Sequence, residues 1–222
     1  MNNITRTEKR GFLLLAIVFA LSYFFAFTNM DFFEHGFIVE DGPVEYGTAV
    51  MLFCTSILSI VYLIKYHKNK SLTWKFGLVM FAILFFFAAG EEISWGQRIF
   101  DIQTGEYFME HNRQKEMNLH NLEVGGKKLN KIIFSQLLTL VIVVYLLIVP
   151  VLYRKKKWAK NLLDKFAVPV VYWHHTIAFI VCTLLVLIIP HHRKWEVYEL
   201  DFSLIFFLIF LNPFNKEIYS KS

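Results

Sequence analysis

Two cysteines in 222 residues leave little room for thiol chemistry. Cys54 and Cys182 each sit inside an apolar run. They exclude a disulfide framework or a thiolate metal centre and read as buried, inert thiols. No internal repeat or low-complexity stretch breaks the chain. It has no nucleotide-binding glycine loop, no nucleophile elbow, no cysteine–histidine signature and no HExxH. The N-terminal run is expected to be a helix and not a cleaved leader: after Lys9 and Arg10 the apolar run Gly11 to Met30 exceeds an h-region, and no convincing small-x-small site follows.

Apolar length is what the chain has in abundance. It is 56% hydrophobic and 18% aromatic, with 24 Phe, and a soluble domain of this size does not carry so many long apolar runs. The reading is an all-α, polytopic membrane helix bundle forming a single integral domain over 1–222. Six spans are expected near 11–30, 46–64, 76–94, 132–153, 166–190 and 196–214. The third and sixth are short. Phe76–Gly90 and Phe202–Phe214 give 15 and 13 uncharged residues, about 22 and 20 Å of helix against about 30 Å of hydrocarbon. Glu91, Glu92, Glu196, Glu199 and Asp201 are thereby drawn toward the interface.

Charge sets the orientation. If the N-terminus, the 65–75 and 154–165 loops and the C-terminus share a side, that side holds 15 of the 23 Lys and Arg but only Glu8, Asp164 and Glu217 among 18 acids. "YRKKKWAK" (153–160) is a strong cytoplasmic stop, so both termini are expected in the cytoplasm. The formal charge of +5 then reflects juxtamembrane anchors facing membrane lipid, with no call for nucleic acid. Glu45, Glu91, Glu92, His120, His191, His192, Glu196 and Glu199 all fall at the opposite, extracytoplasmic face.

Those polar groups come in three clusters. In "EDGPVEYG" (40–47), Gly42 caps a helix, Pro43 fills its first position and Glu45 its first turn. The carboxylate either serves the helix dipole or aims into a bundle cavity. In "GEEISWGQR" (90–98), a helix continuing past Gly90 puts Glu91, Trp95 and Arg98 on one face, with Glu92 about 100° away. Trp95 marks the membrane–water boundary, and an isolated charge one turn below it costs about 2.5–3.5 kcal/mol. The pair is therefore either neutralised by Arg98 and the basic residues of 113–131, or functional. The outer loop 98–131 is expected to carry an interfacial helix over Glu106–Asn121, with Glu116, Asn118 and His120 in a polar patch.

Two histidine pairs complete the inventory. His174 and His175 lie about a third of the way into the fifth span from its cytoplasmic side and read as satisfied by neighbouring helices. His191 and His192, with Glu196, are the residues that could ligate a divalent metal such as zinc, although adjacent histidines point in different directions. The cofactor is otherwise unknown.

"EDGPVEY", "GEEISWGQRIF" and "ExNLHN" (116–121), in that order, resemble a family of uncharacterised bacterial multi-pass inner-membrane proteins. The likeness covers roughly residues 36–125. It implies that Glu45, Glu91, Glu92, Trp95, Gln97, Arg98, Glu116, Asn118 and His120 belong to one feature, and it brings no activity. "GEEISW" is also similar to the glutamate-pair motif of the CAAX-protease-like intramembrane peptidases, in which the acids act on water and later histidines assist. The chain departs from that pattern: Arg98 stands six residues after Glu92 rather than four, and the later histidine motifs are absent.

Three functions remain open. One is a hydrolase or transferase acting on a lipid, lipid-linked or peptide substrate, with Glu91 or Glu92 as general base and His120 assisting. Another is a non-catalytic membrane partner in which the cluster, with Glu199 and Glu45, is a structural lock. The third is a small proton- or cation-coupled transporter, which the lack of an inverted repeat disfavours.

Overall fold

The structure, a computed structural model, describes residues 4–119, 121–124, 127–128 and 136–220. Seven main helices follow one another among them: α1 (Arg6–Thr28), α2 (Pro43–Tyr66), α3 (Leu72–Glu92), α4 (Leu138–Lys155), α5 (Lys157–Lys165), α6 (Trp173–Ile188) and α7 (Trp195–Leu211). Between α3 and α4 the loop adds one helix of six residues, Glu106–His111, and a two-residue antiparallel ribbon, Glu123–Val124 with Lys127–Lys128.

Local chemistry sets the helix ends. Thr5 and Glu8 form a reciprocal capping box on α1. Gly42 and Pro43 open α2 as the sequence leads one to expect. The Ser71 hydroxyl accepts from the Trp74 amide at 3.2 Å to open α3, which starts before Phe76 and so reaches 21 residues. The α4 helix widens into a π-turn at Val144–Ile148, just before Pro150. Proline cannot donate to the carbonyl four residues back. That carbonyl belongs to Leu146, and the Thr176 hydroxyl of α6 donates to it at 2.9 Å.

Helix α7 lies at the centre, in contact with α1, α2 and α6, while α3 packs along α2. Inside, an apolar core that includes Leu15, Phe19, Phe33, Leu204 and Leu208 is accompanied by small hydroxylated residues, and large apolar side chains also cover the outside. Ser22, Thr48, Thr55, Ser56 and Ser59 are buried, whereas Leu13, Phe24, Phe27, Phe53, Ile64, Ile83 and Leu184 are exposed. The Ser56 hydroxyl joins α2 to α3 by donating to the Ala82 carbonyl at 2.7 Å. Small and hydroxylated contacts are how helices associate where lipid tails cover their outer faces. Four helices are long and apolar enough to cross a membrane: Arg6–Thr28, Pro43–Tyr66, Leu72–Glu92 and Leu138–Lys155. They support an integral membrane protein.

The fifth apolar segment differs from its expected outline. Helix α6 begins at Trp173, not near 166, because Ala167 takes a left-handed φ of 53° and Pro169 follows. The non-helical backbone here is held by the C-terminal segment: the Val170 amide donates to Asn215 Oδ1 at 2.9 Å and the Phe214 amide to the Val170 carbonyl at 2.7 Å. Gly77 of α3 passes so close that a Cβ there would fall 1.8 Å from the Phe166 carbonyl oxygen. His174 and His175 consequently stand in the first turn of α6, not a third of the way along a span. The start of α1, the end of α7 and the start of α6 share one end of the bundle, through Glu8, Asn212 and His174.

Candidate functional site at the outer end of the bundle

The helix carrying "GEEISWGQR" does not run on to Arg98. It stops at Glu92, and Ser94, Trp95 and Gly96 all take positive φ, 47°, 56° and 75°. The Gly96 amide bonds to the Ile93 carbonyl at 2.8 Å and the Gln97 amide to the Ser94 carbonyl at 3.0 Å. This is a short left-handed turn, a conformation that costs an ordinary residue about 1–2 kcal/mol. The expected common face of Glu91, Trp95 and Arg98 is therefore replaced by a fold-back. Trp95 returns over the helix end and its Nε1 donates to Glu91 Oε1 at 2.8 Å. Gly90 is what lets it return, since a Cβ there would meet the indole ring at 2.8 Å.

The outer loop is turned inward on this scaffold. Its helix ends at His111 instead of continuing to Asn121, because the Asn112 side chain accepts from the Gln114 and Glu116 amides at 2.9 and 3.3 Å. Lys115 adopts a φ of 59°. Glu116 and Asn118 are buried as a result. The Ser94 hydroxyl donates to Glu116 Oε2 at 2.6 Å, and Asn118 Nδ2 donates to Ser94 Oγ and to Glu116 Oε2, both at 2.9 Å. The Leu119 amide donates to Glu91 Oε2 at 2.6 Å, and the Met117 amide to Gln97 Oε1 at 2.7 Å. Glu91, the more buried of the glutamate pair, is thus clamped between Trp95 and the loop.

Arg98 ties in the third cluster. Its guanidinium pairs with Asp41 and with Glu116, lies 3.7 Å from Glu45, and is 4.0 Å from Glu40. Burial works to lower its pKa, but Glu116, Asp41 and Glu45 outweigh that and raise it. Glu45 stands in the first turn of α2 and its Oε2 accepts from the Asp41 amide at 2.5 Å. Glu45 is thus a helix-start acid, and its other oxygen faces Arg98.

Glu92 takes the other direction. It and Glu196, together with Glu45, act electrostatically on Glu199 of α7, and Glu196 also acts on Glu45. Carboxylates of α2, α3 and α7 thus lie within electrostatic reach of one another. Glu199 itself is exposed. His120, expected to assist, lies outside the described residues, as do Gly125, Gly126 and the first residues of the fourth expected span.

The histidines expected to hold a metal here are otherwise engaged. His191 Nε2 lies 3.4 Å from Glu34, its Nδ1 accepts from the Arg193 amide at 3.2 Å, and Arg193 pairs with Glu196 at 3.5 Å. His192 opens the 3₁₀ turn His192–Lys194, and its ring lies 4.5 Å from that of His191, tilted by 37°. Among the described residues, the grouping of three ligand-type side chains within reach of one ion lies at the opposite end: Glu8, His174 and His175. The sequence reading missed Glu8, whose TRTE context looks like helix-capping alone.

Comparison with protein-family models, with characterised proteins and with solved structures finds no match to this chain.

Proposed function

We propose that this is a protein of a bacterial cytoplasmic membrane with both termini in the cytoplasm. We also propose that its outer end is a hydrolase or transferase site for a lipid, lipid-linked or peptide substrate. The observation that carries the second proposal is the divergence of two adjacent glutamates. Glu91 is spent on holding the loop, and Glu92 lies within electrostatic reach of Glu199 of α7, as Glu45 of α2 does. Carboxylates that share a site and a proton supply a base and an acid at once. Glu92 and Glu199 would then activate water or an acceptor hydroxyl and protonate the leaving group, and Glu45 and Glu196 would set their field. The orientation is supported by the basic segments, since Lys160 and Asp164 lie against Tyr153 and Asn215 at the end that carries Glu8 and His174.

The test compares conservative variants in lipid nanodiscs. Glu92→Gln and Glu199→Gln should keep the wild-type melting temperature and lose at least about 100-fold in turnover on a panel of fluorogenic lipid esters, phosphodiesters and peptides. Glu91→Gln should lower the melting temperature first.

A second reading has its own support, the closure of the network around Ser94, Glu116, Asn118 and Arg98. If the four carboxylates behave like that network, with every Gln variant destabilised and no turnover in the wild type, the cluster is a lock and the protein a non-catalytic membrane partner.

A further inference from the structure

At the other end of the bundle, Glu8 is fully buried and its two oxygens have separate tasks. Oε2 accepts from the Thr5 amide and hydroxyl, both at 2.7 Å, and from Asn212 Nδ2 at 2.9 Å. That fixes the carboxylate and leaves Oε1 facing α6. His174 Nε2 lies 2.8 Å from Oε1 and His175 Nε2 3.0 Å from it. Adjacent helical residues normally diverge, but these two stand in the first turn of α6, and their rings are 4.3 Å apart. Tyr172 stacks on His174 at 5.1 Å with a 13° interplanar angle, and Phe12 meets the same ring edge-on at 5.9 Å. The ring planes are therefore held in place.

His175 is the unexplained member. It has no accessible surface, and neither of its ring nitrogens has a hydrogen-bond partner among the described residues. Its Nε2 stands 3.0 Å from Glu8 Oε1, the oxygen that His174 also faces. A buried imidazole is seldom left without partners, and an ion shared with Oε1 would supply one to Nε2.

We infer that Glu8, His174 and His175 form a binding site for a zinc-type divalent cation. Two imidazole nitrogens and one carboxylate oxygen are a donor set suited to zinc and its neighbours in the first transition row. The three ligand atoms lie within 4.8 Å of one another. A tetrahedral zinc with bonds of about 2.0–2.1 Å separates its ligands by about 3.3 Å; the two imidazole nitrogens already stand 2.8 and 3.0 Å from Glu8 Oε1, and closing the set asks for a shift of no more than about 1.5 Å between the ligand atoms. Thr5 and Asn212 are the supporting partners that orient a ligating carboxylate. Three protein ligands leave a fourth position for water, and His174, with 18% of its side chain exposed, is on the side from which an ion enters. This site is independent of the outer carboxylates, and its test does not depend on their activity.

The experiment uses the full chain in nanodiscs, stripped with a chelator and titrated with Co²⁺ and then Zn²⁺. The expected result is one Co²⁺ per chain with visible d–d absorption, displaced by Zn²⁺, and a rise in melting temperature with Zn²⁺. His174→Ala and Glu8→Gln should weaken Co²⁺ binding by more than about tenfold, while His191→Ala and His192→Ala leave it unchanged. Failure of the wild-type chain to take up one ion overturns the inference, whatever the variants do. Wild-type affinity in a folded His174→Ala protein overturns it as well, leaving a proton-only Glu–His cluster.

Discussion

The Ser94 hydroxyl, placed by a backbone with φ of 47°, donates to Glu116 Oε2 at 2.6 Å across 22 residues of chain. A strained residue and a buried acid therefore depend on each other. Ser94→Ala keeps the strain and removes the bond, leaving Glu116 and Asn118 short of a partner, at about 1–3 kcal/mol. Ser94→Gly loses the same bond but relieves the left-handed strain, worth about 1–2 kcal/mol. The glycine variant should accordingly melt above the alanine variant, the reverse of the order in a helix. The reverse result would show that the turn is not left-handed.

Lys115 offers a cleaner probe, because its side chain is exposed and its φ is 59°. Its carbonyl accepts from the Thr104 hydroxyl at 2.7 Å, a bond that any residue retains. Lys115→Gly should range from neutral to about 1 kcal/mol more stable once the greater freedom of the unfolded chain is subtracted. Lys115→Val, β-branched, should lose about 1–2 kcal/mol. Thermal unfolding of the two variants side by side decides it.

Pro150 and Thr176 should be energetically coupled. Thr176→Val leaves the Leu146 carbonyl unsatisfied and should cost about 1–3 kcal/mol in the wild-type background. Pro150→Ala restores an amide able to reach that carbonyl, so Thr176→Val should then cost much less. A double-mutant cycle on chemical denaturation reads the coupling directly, expected at about 1 kcal/mol or more. Strict additivity would mean that the threonine is incidental to the proline.

Asp201 sits fully buried in α7, and neither carboxylate oxygen has a hydrogen-bond partner among the described residues. A lone buried acid is a cost that an apolar residue of similar size avoids. Asp201→Leu should raise thermal stability, by about 1 kcal/mol or more. Loss of stability would mean that the acid has a partner of its own.

Hydropathy made the helical bundle legible, and Gly42 with Pro43 the start of α2. It failed where backbone conformation, not apolar period, decides the path. Nothing in the residue types Ser94 and Trp95 announces a positive φ, so the helix was carried on to Arg98. Asn112 could have been read as a helix stop, since its side chain competes for the amides that follow. Glu8 was hidden differently: a capping box accounts for one oxygen of the carboxylate, and only the three-dimensional neighbourhood shows that the other faces two histidines.

Glu8 also ties the start of the chain to its end. Its partners His174 and Asn212 lie 166 and 204 positions further along the chain. Until α7 is in place, the first helix carries a buried acid that only Thr5 addresses. The α1 helix gains these bonds only where α6 and the end of α7 meet it. A chain that ends before Asn212 should leave that carboxylate short of one of its donors.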